Sequence, residues 1–208
     1  MSARPSPVRL LSTSAALLTA LAVLAPTSAL AAAEASPPAS SPPPACTVGG
    51  IAVPEGEPIP DDIPTVISCF DSVAEAEQFL AAGAPGDYEQ LQPDDGADRI
   101  SARSASASTA STVIVGRNWT GTARSGSVLI HWGSGSGCYG TTFGFPSLAA
   151  SWNNAIRSAE GFSNCWSTQY DGTSYTGALI NCTAYCSTLG AMAARTSSIV
   201  YRPSGTFG

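Results

Sequence analysis

The chain of 208 residues has no lysine, a single histidine (His131) and no basic residue between positions 34 and 98. Each absence removes a class of chemistry. Without a second imidazole there is no HExxH zinc site. Without lysine there is no Walker phosphate loop, no Schiff base and no Ser–Lys dyad. None of the six cysteines sits in a CxxC pair, so a zinc ribbon has no support. The formal net charge of −6 argues against a dedicated nucleic-acid binder, and no nucleic-acid partner is expected.

That total averages three segments. Residues 1–33 carry two arginines and no acid, residues 34–98 carry thirteen of the fifteen acids, and residues 99–208 carry seven arginines against Glu160 and Asp171. The first segment has Arg4 and Arg9 ahead of an apolar run over 10–24, then Pro26 and the small residues Ala29-Leu30-Ala31 and Ala31-Ala32-Ala33. This is the pattern of a secretory signal peptide, assigned to residues 1–31 with cleavage after Ala31 or Ala33. The run is short for a membrane span, so a secreted, extracellular protein with no membrane attachment after cleavage is expected. In an oxidising compartment six cysteines read as disulfides. Fifteen connectivities are possible; the spacing favours Cys46–Cys69 within the acidic segment and pairing of Cys138, Cys165, Cys182 and Cys186 among themselves.

Along the mature chain, residues 32–45 form a proline-rich spacer and residues 99–112 a Ser/Ala linker, which reads as flexible and open to proteases. Between them lies the acidic segment 46–98. It offers one strand (TVISCF, 65–70) and one helix, started by the capping box Ser72–Glu75 and showing an apolar face of Val73, Ala76, Phe79 and Leu80. So few elements cannot bury a core alone. The segment is therefore expected either to pack on the following domain or to be partly disordered, and it is a candidate pro-region that masks the arginine-rich part by charge. Residues 113–208 hold fourteen of the twenty glycines and only Pro146 and Pro203 among sixteen prolines. Their short alternating runs at 113–115, 128–132, 141–145 and 197–201 predict an all-β sandwich or barrel.

A repeat lies inside this domain. Residues 150–158 (ASWNNAIRS) resemble residues 190–198 (GAMAARTSS) shifted by forty, placing Trp152 on Met192 and Ser158 on Ser198. The period fits one Greek key per unit. Tyr170-Asp-Gly-Thr-Ser-Tyr175-Thr-Gly177 fits the aromatic-x4-aromatic-x-Gly signature of the βγ-crystallins, with Ser198 where that fold returns a serine to the hairpin. In the first unit Trp132, Tyr139-Gly140 and residues 153–158, ending in Ser158, stand as remnants. With secretion and the SWNxxxRS phrasing of residues 151–158, residues 113–202 resemble the secreted streptomycete metalloproteinase-inhibitor family. The resemblance implies two Greek-key, βγ-crystallin-like units forming a small sandwich, and inhibition of thermolysin-like proteases. It also implies that Cys182, Thr183, Ala184, Tyr185 and Cys186 form a small cystine-closed reactive loop, one residue shorter than the family's.

Other readings stand beside it. The two cysteines of that loop could staple a hairpin or pair elsewhere. The domain could be a binding or antifungal module for a cell-wall polymer, or a structural crystallin-like domain. A weak calcium site over Asn153, Asn154 and Ser158 is disfavoured by Arg157, which stands where a ligating hydroxyl belongs. Gly135, Gly137 and Gly140 spell GxGxxG, but residues 141–145 continue as strand where a dinucleotide site needs a helix. His131 with Asp171 has no accompanying nucleophile motif. Arg117, Arg124, Arg157, Arg195 and Arg202 could form a basic face. The expectation is a monomeric, cofactor-free inhibitor, not an enzyme, whose partner is an extracellular protease.

Overall fold

The computed structural model describes residues 44–91 and 111–207. The expected signal peptide, most of the 32–45 spacer and most of the 99–112 linker lie outside them. The elements in chain order are β1 (Ala45–Gly49), β2 (Ile51–Pro54), β3 (Val66–Phe70), α1 (Val73–Ala81) and α2 (Asp87–Leu91). Then come β4 (Thr112–Trp119), β5 (Val128–Ser134), β6 (Thr141–Phe145), β7 (Ser158–Gly161) and β8 (Cys165–Tyr170). β9 (Leu179–Cys182), β10 (Tyr185–Cys186), a 3-10 turn (Gly190–Met192) and β11 (Ser198–Pro203) complete the chain. Two sheets form, ordered β10-β7-β4-β5-β1-β3 and β2-β6-β11-β8-β9. The expected β sandwich is what the chain builds, with two helices added on one outer face.

The acidic segment supplies β1, β2, β3 and both helices, and it is built into the sheets. β1 lies between β3, antiparallel, and β5, parallel. β2 pairs with β6 in the other sheet. A boundary at residue 113 therefore separates no packing unit. β1 escapes a periodicity search because all five of its residues are buried, so no polar alternation marks it. The chain crosses from one sheet to the other at Gly49-Gly50. A Cβ at Gly49 would meet the Trp132 and Leu91 side chains, and one at Gly50 would meet the Phe145 ring at 2.6 Å. Only glycine lets the backbone pass between these rings.

Charge does little of the docking. Among the described residues, Arg117–Glu77 (2.6 Å) is the ion pair that links the acidic segment to the rest, while Arg124–Glu160 and Arg195–Asp171 lie within the later part. Electrostatic masking gives way to strand pairing and apolar burial. Under the helices, Ala45, Val66, Ala76, Leu80, Leu91, Trp119, Ile130 and Trp132 form one cluster. The α1 cap forms as its capping box predicts, with the Glu75 N–H donating to Ser72 Oγ at 3.2 Å.

Between the sheets, Val48, Val115, Leu129, Phe143, Trp152, Ile156, Ile199 and Tyr201 form the larger core. A buried polar seam crosses it. Asn118 on β4 donates from Nδ2 to His131 Nδ1 (3.0 Å) and to the Tyr201 hydroxyl (2.7 Å), and Gln169 on β8 donates to Asn118 Oδ1 (2.9 Å). The seam joins β4 and β5 of one sheet to β8 and β11 of the other. Three disulfides close the fold: Cys46–Cys69, Cys138–Cys165 and Cys182–Cys186. Both halves of the expected partition hold.

Candidate functional site

Each Greek-key unit is organised by one serine and one folded hairpin. In the second unit, Ser198 Oγ donates to Gly172 O (2.7 Å) and accepts from the Tyr175 N–H (3.0 Å). Tyr170 and Tyr175 meet edge to face at 6.1 Å, and Gly177 takes φ +84°. A side chain at Gly177 would carry that strain and strike the Asp171 carboxylate. The signature residues Tyr170, Tyr175, Gly177 and Ser198 thus meet in one hairpin.

The first unit repeats this at a place other than Trp132 or Tyr139-Gly140. Ser158 Oγ donates to Gly121 O (2.7 Å) and accepts from the Arg124 N–H (3.3 Å). The equivalent hairpin is residues 119–126, in which Ala123 and Arg124 share the positive φ of Ser174 and Tyr175. Trp132 instead lies buried under the helices, and Tyr139 is exposed. The signal for the true hairpin was present in the sequence. Gly121, Thr122 and Gly126 match Gly172, Thr173 and Gly177, with Arg124 in the second aromatic position. A longer stretch separates hairpin and serine in the first unit (126 to 158, against 177 to 198), so no single period aligns both features. The offset of forty does hold for the turns before the serines. Asn154 N donates to Thr196 O (2.9 Å) and Ala194 N to Ile156 O (2.7 Å), a reciprocal pair relating the two units.

The Cys182–Cys186 loop connects the edge of one sheet to the edge of the other. β9 ends at Cys182, and β10 pairs with β7 through Tyr185↔Glu160 and Cys186↔Ala159. Thr183 and Ala184 are exposed at its tip, whereas Tyr185 is half-buried. The Tyr185 ring lies beneath the Arg124 guanidinium, 3.9 Å from it, and Arg124 also forks onto both carboxylate oxygens of Glu160. The Gly161 N–H donates to Ala184 O (2.9 Å) and the Ala123 N–H to Ser187 O (2.8 Å). Of the three residues expected at the tip, two are presented and the third is a brace. Arg124, which the sequence offered only as part of a basic face, holds that brace.

The remaining candidates do not assemble into sites. Asn153 and Asn154 lie exposed while Ser158 is buried, its hydroxyl taken up by Gly121 and Arg124. Arg157 Nη1 donates to the carbonyls of Thr120 (2.8 Å) and Ala155 (3.1 Å), placing a fixed positive charge beside them. These residues do not fit a divalent cation. His131 is fully buried, and that burial lowers its pKa to about 3, partly offset by a hydrogen bond with the Leu129 backbone. Asp171 is engaged elsewhere, accepting from the Ala178 N–H and pairing with Arg195. The glycines of GxGxxG lie in the turn between β5 and β6, with Gly135, Gly137 and Gly140 all at positive φ. The five arginines are separated by their partners. Arg117, Arg124 and Arg195 pair with acids, Arg157 binds backbone, and Arg202 reaches Thr168 Oγ1 at 3.2 Å.

No protein-family model and no curated protein matches the chain. Among solved structures it is similar to the N-terminal domain of Protein S, at 17% identity, TM-score 0.33, over 43% of this chain and 96% of that one. It is similar to a structure described under evolution of the eye lens βγ-crystallin domain fold, at 10% identity, TM-score 0.34, over 43% and 85%. A βγ-crystallin domain from Flavobacterium johnsoniae matches at 16% identity, TM-score 0.31, over 45% and 99%. The two-unit reading rests on this chain's own paired hairpins and serines.

Proposed function

We propose that this protein is a secreted inhibitor of an extracellular protease, with thermolysin-like metalloproteinases as the target class. One observation carries the reading: Cys182 closes on Cys186 and on no other cysteine. An inhibitor that enters a protease cleft needs a tip whose ordering cost is met before binding. Thr183 and Ala184 form such a tip. It is held by the cystine, by the Gly161–Ala184 hydrogen bond and by Arg124 over Tyr185. The protein acts as a monomer, uses no cofactor and catalyses nothing itself. Six cysteines, all paired, suit the oxidising surroundings of an exported protein.

The test is hydrolysis of a peptide substrate by thermolysin in the presence of the purified full-length mature protein. The expected result is dose-dependent slowing at micromolar protein. The double variant Cys182→Ser/Cys186→Ser should lose about tenfold or more in potency while its thermal transition remains cooperative. No slowing at micromolar protein overturns the reading.

A further inference from the structure

The outer face of the five-stranded sheet carries an open cleft of about 470 Å³, within the size range of small-molecule sites. Its floor is Thr142 on β6 and Arg202 on β11, and Tyr175 and Phe207 form its aromatic sides. Its remaining wall is the loop after β2, which carries Glu55 and Glu57.

That wall is fixed in place. The Glu57 N–H donates to Pro54 O (3.1 Å) across a tight turn with Gly56 at φ +88°, which presents a carboxylate on each side of the glycine. The Glu55 N–H donates to Gly140 O (3.0 Å), and the Tyr175 hydroxyl donates to Pro60 O (3.3 Å), anchoring both ends of the loop. Phe207 is 59% exposed and stacks on Trp166, with ring centroids 5.4 Å apart, so an aromatic face is held open to solvent. Arg202 is half-buried and forms no ion pair among the described residues; its one side-chain hydrogen bond there is to Thr168.

We infer that this cleft binds a neutral saccharide, at a site separate from the Cys182–Cys186 loop. Two carboxylates against one guanidinium oppose a phosphate or other polyanion, since the lining is net negative. A guanidinium donates in a planar fork and a carboxylate accepts at two oxygens, so each can span a pair of neighbouring hydroxyls. Aromatic faces suit the apolar faces of a sugar ring, and Thr142 and Thr206 add hydroxyls. The other ligand that such a lining could attract is a basic side chain, held by Glu55 and Glu57. Against it stands Arg202 in the floor, where a second cation would be repelled.

The experiment is an amide NMR titration of the full-length mature protein with cellobiose, maltose and N,N′-diacetylchitobiose, and separately with acetyl-lysine amide. A saccharide should shift the amides of Gly56, Thr142, Tyr175, Arg202 and Phe207 saturably at millimolar concentration. Phe207→Ala and Arg202→Ala should each weaken that binding about tenfold without lowering the thermal transition, since both side chains reach solvent. The inference is overturned if no saccharide moves these amides at tens of millimolar, or if acetyl-lysine amide moves them in place of the sugars. Either result leaves the protease assay unaffected, so the two readings fail independently.

Discussion

Arg124 lies 3.9 Å over the ring of Tyr185 while gripping Glu160, and so ties the first hairpin, β7 and the cystine-closed loop together. Its place in the hairpin is the one Tyr175 fills in the second unit. One unit turns that position toward a neighbouring ring in its own hairpin; the other uses it to brace a loop from elsewhere in the chain.

The brace gives a kinetic prediction. Arg124→Ala should leave the thermal transition nearly unchanged, because the side chain is largely solvated. It should speed reduction of Cys182–Cys186 by dithiothreitol several-fold, because the loop samples more conformations. Arg195→Ala, which removes a comparable surface pair with Asp171, should not. Equal reduction rates in all three proteins would count against the brace.

His131 sets an acid limit. Burial keeps it neutral in the fold, with a pKa of about 3 against 6.5 in the unfolded chain. The unfolded state therefore binds the proton first as pH falls. This stabilisation is complete above about pH 6.5 and is lost progressively between 6.5 and 3. At pH 4.5 the expected loss is about 2–3 kcal/mol. Urea unfolding at pH 7 and 4.5 measures it, and His131→Gln should flatten the difference. A histidine ring that titrates near pH 6.5 by NMR would refute the assignment.

The two serines should be equivalent. Ser158→Ala and Ser198→Ala each strand a carbonyl and an N–H that are met by one hydroxyl, a loss of about 2 kcal/mol apiece. Denaturant midpoints with unchanged slopes would show this. A cost confined to Ser198 would mean that the first hairpin is no true counterpart of the second.

Cleavage should not release the acidic segment. No disulfide joins residues 44–91 to residues 111–207. The segment itself carries no arginine or lysine, so trypsin can separate the parts only at Arg99 or Arg103 without cutting the segment. Because β1 is buried between β3 and β5, the nicked chains should co-elute on gel filtration and separate on a denaturing, non-reducing gel. Elution of the acidic fragment alone in native buffer would restore the picture of a detachable pro-region.

Much of the two-sheet fold was legible in residue order. β6 coincides with the predicted run at 141–145, while β3, β5 and β11 overlap theirs. β5, β6 and β11 are almost wholly buried, so what marks them is a run of β-branched and aromatic residues bounded by Gly and Ser turns, which is a local signal. α1 was equally legible, since its cap and apolar face lie within one short stretch. β1 was not, because it is buried throughout and its five residues, ACTVG, offer only Thr47 and Val48 as β-branched strand formers between a proline-rich stretch and Gly49-Gly50. β10 is two residues long and exists only because β7 is there to pair with it.

The candidate sites divide in the same way. Sequence alone determined which residues could close a loop, which unit carried the Tyr170–Gly177 hairpin and which catalytic chemistries lacked their residues. It did so because each of those judgements depends on neighbours in the chain or on composition. Tertiary structure decided what depends on distance in space: that Tyr185 braces and Thr183 and Ala184 project, that Arg124 rather than an aromatic completes the first hairpin, and that Glu55, Glu57, Tyr175, Arg202 and Phe207 share one cleft. Those residues are far apart in the chain, and only the pairing of β2 with β6 and of β6 with β11 brings their elements onto one face.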